Sequence, residues 1–201
     1  LCDGDRVDLT NLQRQIIFRS GDVGRFKVEA AADAIAALNP EVRIAAVPER
    51  VGAERLDSLV AAADIVVDCS DNFPTRHAIN RACVRHRKPL VSGAGVRFDG
   101  QVSVFDLRDP ASPCYSCLFP DGTEVEETRC AVMGVFAPMV GMIGTTQAAE
   151  VLKLAAGIGE SLNGRLLLLD VLAMEWRSVR LRKDSGCPVC GDQAREATVR
   201  A

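Results

Sequence analysis

Two Cys-x-x-Cys pairs are the residues whose spacing most directly specifies chemistry: Cys114 with Cys117, and Cys187 with Cys190, the second framed by Gly186 and Gly191. Two thiolates so spaced fit one tight turn and occupy two corners of a tetrahedron. A second such turn completes a closed four-sulfur site with no open position for reaction. Zinc suits this donor set, and with about 70 residues between the pairs it would clip the tail of the chain to its middle. Surface disulfides and unrelated free thiols are the alternatives, and no export signal is present to favour them. Cys2, Cys69 and Cys83 fall in expected strands or helices and read as small buried hydrophobes. Cys130 follows Arg129 ahead of a long helix, where positive charge and a helix N-terminus favour a reactive thiolate; a packed thiol is the competing reading.

A second set lies near the start: Asp3-Gly-Asp5, then Thr10-Asn11-Leu-Gln-Arg14-Gln15, then Lys27. An acid at the end of a strand in a nucleotide-binding fold is placed to hold ribose hydroxyls, and Asp3 fits that role. Arg14 and Lys27 supply fixed positive charge and Asn11 a neutral donor, which together suit the oxygens of a polyphosphate. Taken singly, each is as well explained as a solvated surface residue; the ordered set carries the reading. Further on, Cys69-Ser-Asp71-Asn72-Phe-Pro-Thr-Arg76 follows an apolar strand. Asp71 is a candidate magnesium ligand there, helped by Asp5, and can equally cap the next helix.

These residues need a scaffold. Helices are expected over 24–38, 54–62, 74–87 and 135–156, and strands over 42–47, 64–68, 89–92, 100–107, 165–170 and 175–181. The first part alternates strand and helix, and the later strands follow one another. That order describes an α/β protein, a Rossmann-like doubly wound sheet continued by mixed and antiparallel strands. The stretch 109–127, rich in proline and acid, reads as a mobile surface loop.

Composition excludes several classes. The 201 residues are 48% hydrophobic and 25% charged, enough for one unit with a real core. A net charge of -3 with scattered arginines does not favour nucleic acid. The weakly polar run 131–144 is too short for a bilayer and is broken by Gly134, Pro138 and Gly141, so no membrane partner is expected and the location is cytoplasmic.

Taken together, Asp3-Gly-Asp, Thr-Asn11-Leu-Gln-Arg14-Gln, Lys27, Ser-Asp71-Asn72, Ser92-Gly-Ala-Gly, Gly100-Gln-Val, the paired cysteine turns and the Cys130 loop resemble the MoeB/ThiF family, relatives of the ubiquitin-activating enzymes, over nearly the whole chain. The resemblance implies a homodimeric adenylyltransferase using ATP and magnesium, with structural zinc. It would join AMP to the C-terminal Gly-Gly carboxylate of a ubiquitin-like sulfur-carrier protein of the molybdopterin or thiamin type. By position, Asp3 would hold the ribose, Asn11, Arg14 and Lys27 the phosphates, and Asp71 with Asn72 the magnesium-phosphate region. Cys130 matches a cysteine that some members link covalently to the carrier. In the family a glycine-rich phosphate loop precedes the region matching Leu1, so residues 1–201 are expected to be a single adenylation domain truncated at its N-terminus. Rival readings are activation of a small molecule or tRNA base, an NAD-dependent oxidoreductase, and a non-catalytic zinc-stabilised module.

Overall fold

The structure, a computed structural model, describes residues 1–122 and 134–192, which group into two compact units, 1–55 and 56 onward. In the first unit the opening residues lie parallel to residues 45–47: the N–H of Val47 donates to the carbonyl of Leu1 at 2.8 Å and that of Asp3 to the carbonyl of Val47 at 3.2 Å. The strand expected over 42–47 is reduced to a bridge between Cys2 and Val47. Val42 is exposed, so the segment has no buried face to fix it, and Pro48 brings no N–H to extend the ladder.

Helix α1 runs Lys27–Leu38, three residues later than expected. Gly24 and Arg25 are still paired with Val7, through Gly24 N–H to Val7 O and Val7 N–H to Arg25 O, and Gly24 stands at φ +89°, outside helical space. The residues that α1 buries are Val28 and Ala30, while Leu38 is exposed.

Helix α2, Ala53–Ala62, crosses the boundary between the units. In the second unit strand β1 (Val66–Asp68) is followed by helix α3 (Phe73–His86), strands β2 (Pro89–Val96) and β3 (Asp99–Asp106), the short helix α4 (Tyr115–Leu118), helix α5 (Ala137–Ala156), and strands β4 (Arg165–Asp170) and β5 (Glu175–Arg180). The sheet order is β1-β2-β3-β4-β5, with β1 parallel to β2 and every later pair antiparallel. This is the mixed continuation that the alternation of elements implied.

Strand β2 does not stop at Gly93. It continues to Val96 and turns into β3 through Arg97 and Phe98, with Arg97 at φ 52° as a tight hairpin requires. The glycines of these two strands answer a packing demand: a Cβ on Gly95 would lie 2.6 Å from Met139 Cε, one on Gly100 2.6 Å from Ile143 Cδ1, and one on Gly93 would meet the amide of Gln147. Their absence lets α5 settle on the sheet, where Met139 and Ile143 join Val91, Val102, Val104 and Leu169 in one core cluster. A second cluster combines Ile79, Cys83, Leu90, Phe105 and Tyr115 with three of the paired cysteines.

The expected mobile loop is corrected over its described part. Ser112, Cys114 and Tyr115 are each at most 2% exposed, because the first cysteine pair anchors this segment in the core. Cys83 is fully buried as expected; Cys2 and Cys69 are exposed.

Candidate functional site

In the first unit the acids and the cation of the opening motif come together. Lys27, the first residue of α1, places Nζ 3.1 Å from Asp5 Oδ2 and 3.8 Å from Asp3 Oδ2. The backbone fixes this: Asp5 N–H donates to Asp3 Oδ1 at 2.8 Å, and Lys27 N–H donates to Asp5 O at 3.0 Å. The other oxygen of Asp5 accepts from Arg50 Nη2 at 3.0 Å. Hydrogen bonds from Arg50 and then Lys27 hold the Asp5 carboxyl below its usual range. Gly4 makes this approach possible, since a Cβ there would lie 2.6 Å from the backbone nitrogen of Arg50.

Asn11 and Arg14 occupy the 3-10 turn Leu9–Asn11 and the residues just after it. Asn11 Oδ1 accepts from Asp8 N–H at 3.0 Å while Asp8 Oδ1 accepts from Thr10, closing a reciprocal cap. The carbonyl end of Asn11 is thereby committed, which leaves its amide NH2 as the end that can serve a ligand. Arg14 Nη1 donates to Thr10 O at 3.4 Å.

Asp71 and Asn72 belong to the second unit, between β1 and α3. The helix cap is Asn72, whose Oδ1 accepts from Thr75 N–H at 2.9 Å. Asp71 is exposed and receives only the Asn72 amide, at 3.3 Å, among the hydrogen bonds of the described residues. An exposed carboxylate not consumed by capping fits a magnesium ion, which takes one or two carboxylates and keeps several waters.

The four paired cysteines converge. Their sulfurs all lie within 4.8 Å of one another, with Cys114 to Cys187 at 3.8 Å, Cys117 to Cys190 at 3.4 Å and Cys114 to Cys117 at 4.0 Å. Ligands about 2.3 Å from a tetrahedral ion stand roughly 3.8 Å apart, close to these separations, so small shifts of the sulfurs let the cluster hold a metal. Their mutual hydrogen bond raises the thiol of Cys114 and lowers that of Cys117. Four thiolates at this spacing cannot all ionise without a cation among them. Cys130 lies outside the described residues.

Three contributors were not anticipated. Arg50 pairs with Asp5 from 45 positions away, and no local signal marks it. Asn80, fully buried on α3, reaches the first cysteine turn; a buried amide in a helix interior is its only signature. Asp68, the last residue of β1, is 1% exposed, and its charge in an otherwise apolar run was the available clue.

The fold is that of an α/β domain with a five-stranded mixed sheet and a four-cysteine cluster that could hold a metal ion. The chain belongs to the ThiF family, whose model matches residues 1–189. It is 45% identical over 192 residues to the sulfur carrier protein ThiS adenylyltransferase of Escherichia coli, covering 95% of this chain and 75% of that protein. It is 40% identical over 191 residues to the E. coli molybdopterin-synthase adenylyltransferase, covering 95% and 76%. The mouse adenylyltransferase and sulfurtransferase MOCS3 is 42% identical over 195 residues, 96% of this chain but 42% of that longer protein. Among solved structures, E. coli MccB with ATP superposes with a TM-score of 0.82 at 24% identity. The chain covers 58% of that protein, and the likeness is one of fold.

Proposed function

We propose that this chain is the adenylation domain of an enzyme that uses ATP to activate the C-terminal Gly-Gly carboxylate of a ubiquitin-like sulfur-carrier protein. The observation that carries this reading is Lys27 held beside Asp3 and Asp5 at the end of the opening extended segment, in a chain 40% and 45% identical to two named adenylyltransferases of this kind. Asp3 takes the ribose hydroxyls. Lys27, Arg14 and the amide of Asn11 bind phosphate oxygens. Asp71, with Asn72, holds magnesium, which when bound neutralises charge on the triphosphate.

The carrier's carboxylate is already ionised at neutral pH and needs no general base. It attacks the α-phosphorus, pyrophosphate leaves, and an acyl-adenylate forms. Catalysis therefore rests on alignment and on charge neutralisation by Lys27 and Arg14. The metal of the cysteine cluster is zinc, and its role is structural, since all four ligands come from protein and no position is open. The enzyme works as a cytoplasmic homodimer, and Cys130 is a candidate point of covalent attachment for the carrier.

ATP-pyrophosphate exchange by the full-length protein, measured with several purified carrier proteins, tests the reading. Exchange that depends on one carrier and is abolished by Asp71→Ala is the expected result. Exchange supported by a small molecule or a tRNA, with no carrier active, would replace the protein substrate by one of those.

A further inference from the structure

The turn that bears Asp71 is held from both sides by groups that do not themselves reach solvent freely. Asp68 closes β1, and its Oδ1 accepts both the N–H of Ser70 at 2.9 Å and the Ser70 hydroxyl at 2.7 Å. From the helix side, Arg76 donates to the carbonyl of Ser70 twice, from Nε at 3.2 Å and from Nη2 at 2.6 Å. The backbone of Ser70 is thus gripped between a carboxylate on its N–H and a guanidinium on its C=O, each matched to the polarity of the group it holds. On the far side of Asp71, Asn72 is fixed by its cap to Thr75. Asp71 is the exposed residue between two anchored neighbours.

The choice of residue at 68 is informative. An asparagine would accept the same two hydrogen bonds from Ser70, yet the chain buries a carboxylate there, whose Oδ2 has no hydrogen-bond partner among the described residues. A charge so placed is costly unless it is used. Its use is the opposed pair with Arg76 across Ser70, which stiffens the turn more than a neutral amide can. Gln147 adds to the rigidity, donating from Nε2 to the Asp68 carbonyl at 3.0 Å and so tying the end of β1 to α5.

We propose that Asp68, Ser70 and Arg76 are positioning residues for the divalent cation: they touch neither metal nor nucleotide, and they set where the Asp71 carboxylate stands. This rests on the reading of Asp71 as a magnesium ligand. Outer partners that orient a metal's ligands change its affinity by about 10- to 100-fold when removed.

The test is direct binding of Mn2+ as a magnesium substitute, followed by electron paramagnetic resonance on the full-length protein with a non-hydrolysable ATP analogue. Melting temperature is recorded alongside. Asp71→Ala should abolish the nucleotide-dependent binding. Ser70→Ala and Asp68→Asn should weaken it about tenfold or more while Ser70→Thr, which keeps the hydroxyl, stays near wild type. Should Asp68→Asn fail to fold, Ser70→Ala decides, since it removes one hydroxyl alone. If Asp71→Ala loses Mn2+ but Ser70→Ala binds it as wild type does, the positioning role is refuted and the metal site stands. If Asp71→Ala itself binds normally, both ideas fall.

Discussion

Asn80 bridges the first cysteine turn from the opposite element: its side-chain carbonyl takes the N–H of Tyr115 at 3.0 Å, and its amide donates to Cys114 Sγ at 3.6 Å and to the Ser116 hydroxyl at 3.1 Å. One fully buried amide thus orients three consecutive residues of the knuckle. It also gives Cys114 a donor that favours its thiolate.

Asn80→Ala should therefore lower metal affinity by about 10- to 100-fold without removing a ligand. Competition with a chromophoric chelator measures it. Cys187→Ser, which removes a ligand outright, should by contrast lose stoichiometric metal. Equal affinity in Asn80→Ala and wild type would show that the cysteine turns are fixed by their own backbone.

Asp68 makes a separate prediction about stability. Desolvation raises its carboxyl above the usual range, more than the Ser70 bonds and Arg76 lower it. A group whose folded pKa is raised favours folding most when protonated, below the unfolded value of about 3.8, and that favour is lost as pH climbs through the folded value. Asp68→Asn should thus gain stability relative to wild type as pH rises from about 4 toward neutrality, and then hold a constant advantage. Urea denaturation of both proteins across that range checks it. A gap independent of pH would mean that the carboxyl titrates in the folded protein as it does in the unfolded chain, and that burial does not raise it.

With Asp68 positioning the metal ligand, Asp68→Asn should gain stability toward neutral pH and yet bind the divalent ion worse. Such opposition between stability and activity is common where a charge is buried for use rather than for packing. A merely structural Asp68 would move both properties in the same direction.

What the sequence revealed was local. Strand β4 begins and ends as expected, and α3 and α5 lie within two residues of their expected starts, because apolar periodicity and flanking breakers act over neighbouring positions. The cysteine cradle was legible for the same reason, each turn being a four-residue statement. Residues 42–47 misled because β-rich composition says nothing about whether a ladder has partners enough to persist. Asp71 was legible as a possible cap of α3, but the cap is its neighbour Asn72 and Asp71 stays exposed, a one-residue difference that spacing does not resolve. Asp5 with Arg50 is a tertiary pairing of exposed charges, invisible to spacing.

That pairing gives the remaining prediction. Lys27 is largely buried, with 15% of its side chain exposed, and is held by two acids, so its charge is oriented before any polyphosphate arrives. Lys27→Met should reduce ATP-pyrophosphate exchange by about 10²- to 10³-fold, the usual consequence of removing a fixed charge from a developing anion. Lys27→Arg should not restore it, because a planar fork cannot replace a compact ammonium between Asp3 and Asp5. Asp5 is held below the ordinary 3.8, so its part of the contact is present above that value and is lost only as pH falls through the lowered one. Exchange measured from pH 5 to 8 should therefore show no limb due to Asp5, and Asp5→Asn should lower the rate without changing the shape of the profile. A limb present in wild type and absent in Asp5→Asn would show that Asp5 titrates in the working enzyme, and that Arg50 and Lys27 release it when nucleotide binds.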